Sequence, residues 1–395
     1  MPVWHKATRK WRKEGRLVIL GVVQEQHRDR PRLFAQWQKI EWPILQDPIN
    51  LFETKAVPRF IAIDEHGIIR SRRPRLNTFA SSFLDRTFKN DAAEPKSPIN
   101  KKHVRKALTD QVFAKPTAKA WRTLGDHFLL WEPAHIKETI ATYAKAVNLD
   151  KKDGNARFRL GVALRKRWES SQRHPTDFQL AVQSWEEALG IDPNQYIWRR
   201  RIQQYGPRLT KPYPFYDWVS RANREIAKRG EKPVKLKVAL TESEQASPSR
   251  SFSTIDKQAK SPDPQAQINL DNGLIQTRVT SVPTKPRAGR TVRIHVTMSP
   301  NKKRKAHWNN LSKPLRLWID PPKGWQVSRQ LVSSAQPKTP ESAETRLLDF
   351  ELKIPGNARG QQTIQAYALY FVCEDVNGVC LFLRQNISIK LNLAK

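Results

Sequence analysis

The stretch AVPRFIAIDEHGIIR, Ala56 to Arg70, decides how the first part of the chain is read. Phe60, Ala62 and Asp64 alternate with Arg59, Ile61 and Ile63, the period of a strand. Asp64 to Gly67 then supplies turn residues, and Ile68 to Arg70 leaves as a second strand. Val57-Pro58 stands at the entrance, where a residue without an N–H removes nothing from a ladder. Upstream, WPILQDP (42–48) is a strand and RPRLFAQWQKI (30–40) a helix with Leu33, Phe34 and Trp37 inward. RLVILGVV (16–23) is a buried strand, and MPVWHKATRKWRKEG (1–15) a helix with Trp4, Ala7 and Trp11 at helical spacing, ended by Gly15. Downstream, LNTFASSFLDRTF (76–88) is a helix whose apolar members are Phe79, Phe83, Leu84 and Phe88.

This order of helix, strand, helix, strand, proline, hairpin and helix resembles the thioredoxin and redoxin superfamily, in particular its bacterial TlpA-like members, over residues 1–90. The resemblance implies an α/β domain in which Val57 and Pro58 form the loop that faces the substrate disulfide. It also implies a Trp-Cys-x-x-Cys segment opening the first helix, where unpaired N–H groups and the helix dipole lower a thiol pKa. Here Met1-Pro2 takes the place of the Met-Pro step that follows those cysteines, and the helix has no Ser, Thr, Asp or Asn cap before it. The expectation is an N-terminally incomplete thioredoxin-like domain, its cysteine segment lost or encoded upstream of a mis-assigned start. The ancestry is that of a thiol-disulfide oxidoreductase or peroxide reductase, inactive in this part as written.

Residues 91–118 are charged and proline-bearing, as a linker is. Over 119–235 the period becomes helical. Trp121, Leu124, Gly125 and Phe128 in KAWRTLGDHF, then Tyr143 and Ala146 in TIATYAKAVNLD, make one copy of a pattern. Gly161 in RFRLGVAL, with Ala181, Trp185, Ala188 and Pro193 in AVQSWEEALGIDP, makes a second. Both resemble tetratricopeptide repeats, in which small residues let paired helices approach and aromatics fill the groove between them. The resemblance implies an all-α domain that holds a protein partner. The second copy carries an insertion, RWESSQRHPTDFQ, read as a loop, and NQYIWRRRIQQYG and YDWVSRANREIAKRG are read as capping helices.

Residues 240–265 are rich in Ser, Pro and charge and read as a flexible linker. Over 266–395 the period is two, with GLIQTRVTSVP, RTVRIHVTMSP, PLRLWIDPPKGWQV, RLLDFELKIP, TIQAYALYFVCED and VCLFLRQNISIKLNL as strands of an antiparallel, immunoglobulin-like sandwich. NKKRKAHWNN is read as a basic loop. Cys373 and Cys380 flank EDVNGV in the last hairpin. A two-residue Asn377-Gly378 turn leaves them diagonal, about 7–8 Å apart; a four-residue loop, Asp375 to Gly378, sets them opposite and within reach of a disulfide. Tyr367 and Phe371 share the face of Cys373. This hairpin resembles the N-terminal domain of the thiol-disulfide carrier DsbD, which implies Cys373 and Cys380 as a redox pair and a thiol-disulfide donor or acceptor protein as partner. Two inert thiols or a structural bridge remain the alternative.

The chain has 395 residues, enough for two to four domains, and 71 Lys plus Arg against 37 Asp plus Glu, a formal charge of +34. That excess attracts polyanions of any kind. The basic clusters RSRRPR, WRRR and NKKRK fall at separate places without a nucleic-acid-binding motif, so no specific nucleic acid is expected. With two cysteines no four-cysteine zinc site forms, and no phosphate-loop, dinucleotide, zincin or nucleophile-elbow motif occurs, so neither metal nor cofactor is expected. No apolar run approaches the ~20 residues of a membrane span, and no signal-peptide pattern follows the basic start, so the chain as written is cytoplasmic. With an upstream leader it is exported or periplasmic, where a disulfide persists. A polyanion-binding protein is the third reading, and against the redox reading stands first a non-enzymatic tetratricopeptide scaffold with an inactive thioredoxin-like module. Sequencing the DNA upstream of the Met1 codon separates them: an in-frame Trp-Cys-x-x-Cys is expected of an active oxidoreductase, and a stop codon with no such motif opposes it.

Overall fold

The computed structural model describes residues 2–89, 101–207, 218–236, 260–375 and 378–394. Met1 of the Met-Pro step, linker residues 91–100 and 240–259, and Val376 and Asn377 of the cysteine loop lie outside the described residues. Contacts gather the chain into two compact units. One comprises Met1–Ser170, Glu187–Arg200 and Val219–Val238, the other Ser171–Glu186, Arg201–Trp218 and Ala239–Lys395.

The first unit opens with α1 (Pro2–Ala7) and α2 (Arg9–Lys13), then β1 (Gly21–Val23), α3 (Asp29–Gln38) and β2 (Ile44–Gln46). β1 and β2 pair in parallel, Gly21 opposite Ile44, with α3 as the crossover. A cis Val57-Pro58 peptide precedes the antiparallel pair β3 (Ala62–Ile63) and β4 (Ile69–Ser71). Asp64 builds that turn: its Oδ1 accepts from the amides of His66 at 3.0 Å and Ile68 at 2.8 Å, and its Oδ2 from Arg70 Nε at 2.5 Å. Three expectations change here. The first helix breaks at Thr8, whose hydroxyl donates to the Trp4 carbonyl at 2.6 Å. The strand expected over 16–23 pairs only from Gly21, leaving Val18 and Leu20 exposed. Residues 76–88 form a 3-10 turn (Leu76–Thr78) and a π turn (Ala80–Leu84) rather than one α-helix. Aromatic packing fixes that turn: Phe79 is buried with ring centroids 5.2 Å from Trp4, 5.9 Å from Trp11 and 5.3 Å from Phe83.

Helices follow: α4 (Lys101–Ala114), α5 (Ala118–Trp131), α6 (Ile136–Leu149), α7 (Gly154–Trp168), α8 (Asp177–Ile191), α9 (Tyr196–Gln203) and α10 (Trp218–Lys228). α4 occupies sequence read as linker, because Leu108 and Val112, one turn apart among charged residues, pack against Ala120 and Leu124 of α5. The Thr117 and Asp153 side chains accept from the amides of Ala120 and Ala156, at 3.2 and 2.9 Å, and so cap α5 and α7. α7 reaches Trp168 and α8 begins at Asp177, so the inserted loop shrinks to residues 169–176. Leu124, Gly125, Tyr143, Ala146, Gly161, Ala181, Trp185 and Ala188 are buried; Trp121 and Phe128 are half-buried, and Pro193 is exposed beyond the end of α8.

The second unit contains a β-sandwich built from β5 (Ile275–Val282), β6 (Thr291–Pro300), β7 (Ala306–Asn309), β8 (Arg316–Asp320), β9 (Gln326–Val327), β10 (Leu331–Ser333), β11 (Glu341–Ser342), β12 (Arg346–Lys353), β13 (Gln361–Glu374) and β14 (Val379–Asn392). One sheet runs β5-β6-β12-β9; the other runs β10-β8-β13-β7-β11, with β14 also on β13. Alternate residues of both sheets, among them Val292, Ile294, Val296, Phe350, Ile364, Tyr370 and Ile389, share one core. The expected basic loop 301–310 holds β7, since Ala306 and Trp308 point inward and the Trp308 indole donates to the Glu344 carbonyl at 2.8 Å. Residues 260–265, read as linker, lie on the sandwich: Asp263 is buried and accepts from Arg384 Nη1 at 2.8 Å. No helix among the described residues is long and apolar enough to cross a membrane.

Gly125 sits where a Cβ would lie 2.7 Å from the Tyr143 ring and 2.9 Å from Thr142 Oγ1, so α5 and α6 touch through it. Overpacking costs about 1–3 kcal/mol and helix propensity returns at most about 1. Gly125→Ala is therefore expected to lower stability by about 1–2 kcal/mol in urea unfolding, and Gly125→Leu by more.

Candidate functional site

β13 and β14 pair over their whole length, from Gln361 opposite Asn392 to Glu374 opposite Val379. Ile364, Ala366, Ala368, Tyr370 and Val372 turn into the core, which sends Gln365, Tyr367, Leu369, Phe371 and Cys373 to the outer face. In this register Cys373 stands directly opposite Cys380, their Cα atoms are 4.0 Å apart, and the two are joined as a disulfide. Of the two registers open to the sequence, the four-residue connection is the one present.

The bridge is asymmetric. Cys373 is 3% exposed, whereas Cys380, on the edge strand, is open to solvent. An attacking thiolate would therefore meet the Cys380 sulfur first, with Cys373 as the leaving group. Beside the bridge, Phe371 and Phe382 stack with centroids 4.5 Å apart, and Trp318, Tyr367 and Leu369 continue the apolar stripe. Arg384 covers the Tyr367 ring at 3.9 Å, and the Tyr367 hydroxyl pairs with Ser261 Oγ at 2.6 Å. Across the other edge of β13, Cys373 faces His307 of β7. His307 Nδ1 is 3.0 Å from Asp375 Oδ1 and its Nε2 3.3 Å from Glu341 Oε2. Nothing in the run NKKRKAHWNN marks this neighbour, because the four residues of β7 directly follow a basic stretch.

A second polar constellation lies in the first unit. Tyr143 donates to Asp126 Oδ1 at 2.8 Å, and Arg159 Nη1 donates to Asp126 Oδ2 at 2.6 Å, all three buried. Arg159 Nε also donates to the Ile49 carbonyl at 3.3 Å. Arg122 Nη1 and Asn155 Nδ2 each reach Glu53 Oε1 at 3.1 Å, Lys55 Nζ pairs with Asp192 Oδ2 at 3.0 Å, and the Tyr196 amide donates to the Lys55 carbonyl at 3.2 Å. Helices α5 and α7 thus grip the chain's own segment 49–55, in which Ile49 and Asn50 are fully buried. Sequence reading missed this contact, since arginines on amphipathic helices read as solvated. Burial pushes Asp126 up to about 6 against the opposing pull of Arg159, and burial also holds the Tyr143 hydroxyl un-ionised.

The structure joins Cys373 to Cys380, and of the repeat-packing residues all but Pro193 lie within helices α5 to α8. Val57 and Pro58 are exposed in the first unit. Among the described residues no group of three His, Cys, Asp or Glu side chains is placed to hold a metal ion. No protein-family model and no curated protein matches the chain. Among solved structures, AvmM, described as catalysing macrocyclization in alchivemycin A biosynthesis, is 12% identical over 32% of this chain and 95% of its own, with a TM-score of 0.21. The sporulation control protein Spo0M of Bacillus subtilis is 9% identical over 31% of this chain and 50% of its own, at 0.16. AggA, the major subunit of an Escherichia coli aggregative adherence fimbria, is 13% identical over 32% and 98%, at 0.18. At these scores the likeness carries no argument about fold or function.

The Asp126 shift has a sign that can be measured. Its pKa rises from 3.8 unfolded to about 6 folded, so the folded state holds the extra proton between those values. The favourable contribution is complete below about pH 4 and is lost as pH rises through about 6, a swing of about 3 kcal/mol at most. Urea titrations at pH 4 and pH 7 are expected to show Asp126→Asn gaining relative to the parent by up to that amount as pH rises. An equal difference at both values contradicts the assignment.

Proposed function

We propose that the chain is a thiol-disulfide exchange protein of thioredoxin-family descent whose working cysteines are Cys373 and Cys380. The observation that carries this reading is the cross-strand bridge itself, with Cys380 open to solvent and Cys373 buried at the end of an aromatic stripe. In exchange, a partner dithiol gives two electrons and two protons to the bridge, leaving Cys373 and Cys380 as thiols and the partner as a disulfide. The sandwich fits an immunoglobulin-type carrier like the N-terminal domain of DsbD. The parallel β1 and β2, with Pro58 placed before the β3–β4 pair, support a thioredoxin-like module in the first unit. Residues 1–90 hold no cysteine, and this reading places the exchange on Cys373 and Cys380. The close α5–α6 pair at Gly125 supports tetratricopeptide-like helices as the module that holds a protein partner.

A second reading, a non-enzymatic scaffold whose bridge is only structural, is favoured by one observation: the polar residues of α5 and α7 hold the chain's own segment 49–55. Dithiothreitol treatment under native conditions, followed by alkylation and mass spectrometry, decides between them. Exchange chemistry predicts that Cys373 and Cys380 both become alkylated while near-ultraviolet circular dichroism is unchanged. A bridge that opens only in denaturant selects the scaffold.

A further inference from the structure

His307 is paired directly with Cys373, on the strand that flanks β13 on the side away from Cys380. Directly paired residues of an antiparallel ladder share one face, with Cβ atoms about 4.5–5.5 Å apart. Cys380, Cys373 and His307 therefore form a row across three strands. We infer that His307 is the charge and proton partner of Cys373, stabilising the thiolate that leaves when the bridge is opened. The inference rests on the exchange reading above and adds the group that governs its rate.

The step balances without a further reagent. A partner thiolate attacks Cys380 Sγ, forming a partner–Cys380 disulfide; the Cys373–Cys380 bond breaks and its electron pair goes to Cys373 as thiolate. A better-stabilised leaving thiolate departs faster. Buried as it is, Cys373 cannot rely on water for that stabilisation, and His307, when protonated, supplies a positive charge at the adjacent ladder position. The imidazole is held from two sides, by Asp375 on the hairpin after β13 and by Glu341 on β11. Of the basic groups on its own segment, Arg304 is engaged by Glu374, with Nε 3.0 Å from Oε1. His307 is the basic residue paired with Cys373 in the ladder, while Lys302, Lys303, Arg304 and Lys305 lie before the start of β7.

The test is the rate of bridge reduction by dithiothreitol in the intact chain, divided by the thiolate fraction of the reductant, between pH 5.5 and 8.5. In the wild type this corrected rate is expected to fall about three- to tenfold as pH rises. His307→Gln is expected to be slow and flat across the range, and His307→Lys fast and flat. A wild-type bridge that opens with a flat corrected rate, or with a profile that His307→Gln leaves unchanged, overturns the role of His307 while leaving exchange standing. A wild-type bridge that dithiothreitol does not open in the native protein overturns both.

Discussion

The register between β13 and β14 is the constraint on which the sandwich depends. Because side chains alternate faces, a slip of one residue would send Ile364, Ala366, Ala368, Tyr370 and Val372 out of the core and the polar set into it. The apolar burial at stake runs to about 1.5–3 kcal/mol for each large side chain, so Ile364, Tyr370 and Val372 together approach the whole stability of a marginal fold. The cysteine pairing is therefore a consequence of the core rather than its cause. The same alternation that buries Tyr370 and Val372 sets Cys373 on the outer face, opposite Cys380 and beside His307.

In the first unit the corresponding role falls to charge. Arg159 is nearly wholly buried, and its guanidinium is shared between the Asp126 carboxylate and the Ile49 carbonyl. Leaving such a cation unpaired costs several kcal/mol, which makes the position of segment 49–55 a condition of burying the helix face. Gly125 works toward the same end: only with no side chain there can Tyr143 come close enough for its hydroxyl to reach Asp126.

What the sequence disclosed was periodicity, and what it hid was partnership. The period-two runs of β5, β6, β12, β13 and β14 stand out because each alternates over eight residues or more. β7 is four residues long and begins directly after a run of lysines and arginine, so its two inward residues make no pattern. α4 was lost for a similar reason, since its stripe is narrow and most of its surface is charged. The cysteines were visible, but their pairing turned on a loop length that two turn chemistries satisfied equally. His307 and Arg159 could not be found at all, because each acquires its meaning from a residue far away in sequence that only the fold brings near.

The grip of α5 and α7 on segment 49–55 also sets a competitive threshold. A tethered segment presents itself to its site at an effective concentration on the order of millimolar for a short flexible connection, and this one is further ordered by the strands around it. A free peptide arriving at the same face must outbid a ligand that never diffuses away. If a protein partner docks on this face as proposed, those of modest affinity would be screened out at Arg122, Asn155 and Arg159 until the segment around Glu53 is loosened.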